Sequence, residues 1–139
     1  MSWNVTPKKK ENTLFLRLED KESFDGVFLG DPKTYYVNWD VKPVAVVPEE
    51  HPNASFRFKI NVAVKQAGKW VPKIFEQGEP VFNKLVKIKS LGHKLDQKII
   101  NVEMNKVSPK KTEYTLTVTG HELTQDDVNQ LGLLNLNSL

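Results

Sequence analysis

The sequence predicts an all-β fold with one or two short helices, and three observations carry that expectation. Apolar and polar residues alternate with period two over most of the chain, the mark of half-buried strands. Glycine and proline punctuate the alternating runs. One stretch, 79–91, changes instead to three- and four-residue apolar steps, the period of an amphipathic helix.

In chain order, Thr13 to Glu19 places Leu14, Leu16 and Leu18 on one side and Phe15, Arg17 and Glu19 on the other. Ser23 to Leu29 alternates again, Gly30-Asp31-Pro32 bends the chain, and Lys33 to Trp39 resumes the extended pattern. Residues 40–54 hold Pro43, Pro48 and Pro52 and read as a long loop, because proline cannot donate to a strand ladder. The next strand is the cleanest: Phe56, Phe58, Ile60, Val62 and Val64 share one face, with Arg57, Lys59, Asn61, Ala63 and Lys65 on the other. Gln66-Ala67-Gly68-Lys69 turns the chain, and Trp70 to Glu76 returns.

Gly78-Glu79-Pro80 opens the helix with proline near its first turn. Val81, Phe82, Leu85, Ile88 and Leu91 form its stripe, Lys84, Lys87 and Lys89 lie outside, and Gly92 ends it. Strands at Ile99–Val107 and Glu113–Thr119 follow, joined by the positive turn Ser108-Pro109-Lys110-Lys111-Thr112. Thr124-Gln125-Asp126-Asp127 has the form of a capping box with aspartate in fourth place, predicting a short final helix.

This order is the layout of a five-stranded OB-type β-barrel: a long bent strand, a hairpin, a helix between barrel strands 3 and 4, and a second hairpin. The 13–19 segment is an extra N-terminal strand, expected to pair beside the first barrel strand. The predicted organisation is a basic arm over 1–12, the OB domain over 13–121, and a helix with a leucine-rich tail over 122–139.

Length and composition narrow the function classes. At 139 residues one domain is expected. No run of 18 or more apolar residues exists, so no membrane helix is expected. The first ten residues are basic with no apolar stretch behind them, so no secretory signal is expected. The absence of cysteine removes disulfides, thiolate zinc sites and cysteine nucleophiles, and suits a reducing cytoplasm. Net charge is only +3, but residues 53–98 carry 10 Lys/Arg against 3 Asp/Glu while both flanks are slightly negative. A positive centre points to a polyanionic partner met by the middle of the chain.

Burying the Phe56–Val64 face forces Arg57, Lys59, Asn61 and Lys65 outward at a repeat of roughly 6–7 Å, close to the phosphate spacing of an extended single strand. Single-strand binding needs such a row beside rings on which bases stack. Tyr35, Tyr36 and Trp39 enter the long loop, and Trp70 and Phe75 lie on the neighbouring strand. A three-residue turn at 66–68 would bury Trp70 and leave Lys73 and Phe75 beside Arg57; a two- or four-residue turn would expose Trp70. Lys106, Lys110 and Lys111 at the second flanking loop complete the candidate set.

Other chemistry is weakly represented. Asp20 and Asp25, among the acids at Glu19 to Asp31, could suggest a magnesium-dependent nuclease, but such acids usually belong to solvated turns. No G-x-S-x-G elbow, P-loop or G-x-G-x-x-G is present. His51, His93 and His121 lack metal-ligand spacing. No cofactor is expected.

The chain resembles the small OB-fold single-stranded DNA-binding proteins of tailed bacteriophages. The resemblance is carried by Phe15-Leu16-Arg17-Leu18-Glu19-Asp20, by Val27-Phe28-Leu29-Gly30-Asp31-Pro32 with Tyr35-Tyr36-Val37-Asn38-Trp39, and by Phe56-Arg57-Phe58-Lys59-Ile60-Asn61-Val62. Lys73-Ile74-Phe75-Glu76-Gln77-Gly78 and Thr112-Glu113-Tyr114-Thr115-Leu116 continue it, covering about 13–120. It implies a protein that coats single-stranded DNA during phage replication, recombination or repair in the infected cytoplasm; no enzyme is expected from the motifs, and the sequence leaves monomer or homodimer open. The implied partner is the single strand, with Arg57, Lys59 and nearby rings as its contacts, and replication or recombination proteins are further candidates. The leucine-rich, uncharged residues after Asp127 depart from the acidic tip many such proteins carry. Two readings compete with it: a protein-interaction OB module of a phage replisome or particle, and the nuclease. Nothing in the sequence reads a 2′-hydroxyl, so DNA and RNA are not distinguished.

Overall fold

A computed structural model describes residues 14–132. The basic arm over 1–12 and the leucines from 133 onward lie outside the described residues. Among the described residues six strands and two helices follow in order: β1 (Ser23–Asn38), β2 (Ala45–Val47), β3 (Ser55–Gln66), β4 (Lys69–Gly78), α1 (Glu79–Ser90), β5 (Lys98–Ser108), β6 (Lys111–Glu122) and α2 (Gln125–Gln130). They form one antiparallel sheet in the order β4-β3-β1-β5-β6, with β2 paired to β1. The predicted barrel is not closed: among the described residues the end strands β4 and β6 do not pair.

The two extended runs flanking Gly30-Asp31-Pro32 are one strand, β1, whose register on β3 shifts between Leu29 and Lys33. That bend lets its first part pair with both β3 and β5 while its second part stays with β3 and β2. At Gly26 the interior is too close for a side chain, since a Cβ there would lie 2.7 Å from Val62. The β3–β4 hairpin closes on two residues, Ala67 and Gly68, with φ of 50° and 79°. Positive φ at both central residues is what the tight I′ hairpin requires.

Cross-strand partners share a face, so the ladders fix two sides. The inner side carries Phe24 and Phe28 of β1, Phe58, Ile60, Val62 and Val64 of β3, Phe75 of β4, and Ile100 and Val102 of β5, all buried. Phe75 is its hub, with Phe24, Phe28 and Phe58 at centroid distances of 5.6, 5.9 and 6.4 Å in edge-to-face contacts. α1 covers this side through Val81, Leu85 and Ile88, and Phe82 wedges against Phe56 and Phe58. Pro80 stands in its first turn, while Glu79 at one end and Lys87 and Lys89 at the other suit its dipole. Leu91, expected on the stripe, is exposed because the helix ends at Ser90 and the chain turns away.

The leading segment departs from expectation. It does not pair beside β1, because both edges of that strand are taken by β3 and β5. It lies instead along the open edge of β4: Leu16 N–H donates to the Ile74 carbonyl at 2.9 Å, and Ile74 N–H to that of Leu14 at 2.7 Å. Leu16 and Leu18 pack into the main core. The 40–54 loop also contains more order than its prolines suggested, since Ala45–Val47 forms the edge strand β2. No helix among the described residues is long and apolar enough to cross a membrane.

Candidate nucleic-acid interface

The outer side of β3 begins as predicted. Arg57 and Lys59 point away from the phenylalanine core, and Tyr35 of β1 stands opposite Arg57 on the same side. Their surroundings are aromatic. The Arg57 guanidinium lies 5.3 Å from the centre of the Trp39 ring. The Lys59 ammonium sits between two rings, 5.5 Å from Tyr35 and 5.8 Å from Phe15. Each is within cation–π range. Trp39 is half exposed at 51%. It is held at the mouth of the loop by an Asx turn, in which Asn38 Oδ1 accepts Asp40 N–H at 2.9 Å.

Burial lowers the pKa of both Arg57 and Lys59, and Lys33, directly opposite Lys59, lowers the lysine further. Like charges opposed across a ladder are unfavourable. Beside this pair is a groove of about 290 Å³, lined by Phe15, Arg17, Arg57, Glu76, Gln77 and Tyr114, among others. Gln77 Nε2 donates to the Tyr114 hydroxyl at 3.2 Å, linking the unpaired ends of the sheet behind the groove. Lys84 of α1 donates to the Tyr114 carbonyl.

Several candidates fall elsewhere. Phe75 is not beside Arg57: the two-residue turn pairs it with Ile60, in the centre of the core. The same register sends Lys73 to the Val62 side, into a pocket with Phe15, Arg17, Glu19 and Glu22. Tyr36 alternates away from Tyr35, meets Phe56 edge-on at 5.6 Å and donates to Glu49 at 3.2 Å. Burial and that carboxylate push its phenol pKa up. Asn61 is on the outer face but buried.

Trp70 is the largest correction. The two-residue turn does place it on the cationic face, opposite Lys65, whose ammonium is 5.7 Å from the ring. Yet it is only 5% exposed, because α2 folds over it. Trp70 Nε1–H donates to Asp127 at 2.8 Å, and its backbone N–H to Gln130 at 2.9 Å. Val27, Leu29 and Ala63 complete a second small core there, with Ile99, Leu123 and Leu131 at its rim. α2 itself starts on the predicted capping box, in which the Thr124 and Asp127 side chains each accept the other's backbone N–H.

Lys106, Lys110 and Lys111 are exposed around the β5–β6 hairpin. Lys111 is 3.6 Å from Glu113, and the Lys106 N–H donates to Asp20. Asp25 accepts from Asn101 at 2.9 Å, so both aspartates of the nuclease reading sit in hydrogen bonds of their own. Among the described residues no group of three or more His, Cys, Asp or Glu side chains could hold a metal ion.

Sequence reasoning did not name Phe15, Arg17, Lys33 or Glu76 for this face. For Phe15 and Arg17 a signal existed, since they alternate against the three leucines. Lys33 owes its place to the register shift in β1; Gly30-Asp31-Pro32 signals the bend there but not which residue it sets opposite Lys59. Comparison of the chain with protein-family models, with curated proteins and with solved structures gave no significant match.

Proposed function

We propose that this chain is an OB-type module that binds single-stranded nucleic acid, DNA above all, without catalysing a reaction. The observation that carries the reading is the interleaving of Arg57 and Lys59 with the rings of Trp39, Tyr35 and Phe15 on the solvent side of β3. Cations can track phosphates while the rings accept bases, and stacking is worth about 1–3 kcal/mol per base whatever the base. The OB assignment draws on the strand order and on the helix between β4 and β5. In that layout the 40–54 loop and the β5–β6 turn flank the face, which gives Lys106, Lys110 and Lys111 a peripheral role. The resemblance to phage single-strand-binding proteins supplies a setting: protection of exposed strands during replication, recombination or repair in an infected cell.

The test is titration with single- and double-stranded oligonucleotides at two salt concentrations. Single strands should bind preferentially, with log affinity falling against log salt at about 0.7 per phosphate contacted. No binding at low salt would overturn the reading and favour a protein-interaction module.

A further inference from the structure

A carboxylate is out of place on a surface meant for phosphates, and Glu76 stands within one. Its backbone lies opposite Lys59, and its half-buried side chain lines the groove shared with Phe15, Arg17 and Arg57. Burial raises its pKa, while the charge of Arg17 works the other way and favours the ionised form. A carboxylate repels phosphate, so a strand crossing this point must present a base here and keep its backbone on Arg57 and Lys59.

Which base follows from hydrogen-bond inventories. An ionised carboxylate only accepts, through two oxygens. Guanine alone offers two adjacent donors, N1–H and the 2-amino group. Cytosine and adenine each present one amino group next to an acceptor nitrogen, and thymine one N–H between two carbonyls. Only guanine can engage both oxygens at once.

We infer that the groove lined by Phe15, Arg17, Arg57 and Glu76 is a base pocket that prefers guanine, with Glu76 as the residue that selects it. Phe15 offers a face for the base, and the guanidiniums can donate to guanine O6 or to the adjacent phosphate. The inference rests on the single-strand reading above and deepens it by naming a specificity.

The experiment compares thymine oligonucleotides carrying one central guanine, cytosine or adenine with the all-thymine strand, by fluorescence anisotropy on the full chain at fixed salt. The guanine strand should bind about tenfold more tightly, as one bidentate base contact allows. Glu76→Gln should lose that preference and still bind the all-thymine strand, a result that also reports a folded variant. Equal binding of all four strands would overturn the pocket and leave the single-strand reading standing. So would a Glu76→Gln variant that keeps the preference, since the carboxylate would then serve only Arg17 and Lys59. Failure of every strand to bind would overturn both.

Discussion

The two ends of the outer face of β3 obey the same alternation and meet opposite fates. At one end Arg57 and Lys59 stand among Trp39, Tyr35 and Phe15 beside an open groove. At the other, Ala63 and Trp70 are sealed beneath α2 with Val27 and Leu29. A strand's period decides which side a residue faces, but a segment some sixty positions away decides whether that side meets water. The two ends should therefore respond differently to mutation: one through binding, the other through stability.

The most severe way to break the contrast is to remove the wall behind both. Phe58 is fully buried between Phe75 and Phe82. Phe58→Ala should cost about 3–5 kcal/mol, lowering the thermal midpoint and removing binding with it. A variant with an unchanged midpoint would mean that the phenylalanine face is not the core.

Trp70→Ala separates the ends. Loss of the ring from the smaller core should cost about 3 kcal/mol in chemical denaturation, at the low end of the range for aromatic truncation. Oligonucleotide affinity, measured well below the midpoint, should stay within twofold. A large fall in affinity with unchanged stability would instead make Trp70 a stacking residue that α2 uncovers.

The same contrast shows how much the sequence could reveal. Alternation over Phe56–Lys65 was enough to assign Arg57 and Lys59 to the outer side, and Thr124 with Asp127 was enough to start α2. Whether Trp70 or Phe75 would be buried could not be read, because it depended on the turn and on what lay above it. The turn put Phe75 in the core, and α2 then buried Trp70 on the other side as well. The leading segment was legible in its faces and illegible in its partner, since pairing depends on which edge the finished sheet leaves free. Glu76 gave no signal by itself. Its meaning comes from Arg17, Arg57 and Phe15, which the fold brings together from two distant segments.

Arg57→Ala combined with Lys59→Ala addresses the open end. Stability should change by no more than about 1 kcal/mol, because both side chains are only half-buried and surface changes seldom exceed about 0.5 kcal/mol each. The salt dependence should fall by about 1.4 in slope if each residue meets one phosphate. An unchanged slope would move the phosphate path off β3 altogether.

The gentlest probe acts on the closed end through a single proton. Hydrogen bonds from Thr124 N–H and from the Trp70 indole hold the Asp127 carboxyl below its ordinary pKa, against a smaller opposing effect of desolvation. A depressed native pKa contributes stability that is fully present above the unfolded value, about 3.9. That contribution is lost as pH falls through the lower native value. The indole N–H resonance of Trp70 should accordingly stay constant from neutral pH down to about 4 and shift only below it. In Asp127→Asn the titration should vanish while the rest of the spectrum keeps its dispersion. A resonance that already moves above the ordinary carboxylate range would mean that the Asp127 contact does not hold α2 over Trp70. The cover over Trp70 would then rest on Leu123, Leu131 and the Gln130 hydrogen bond instead.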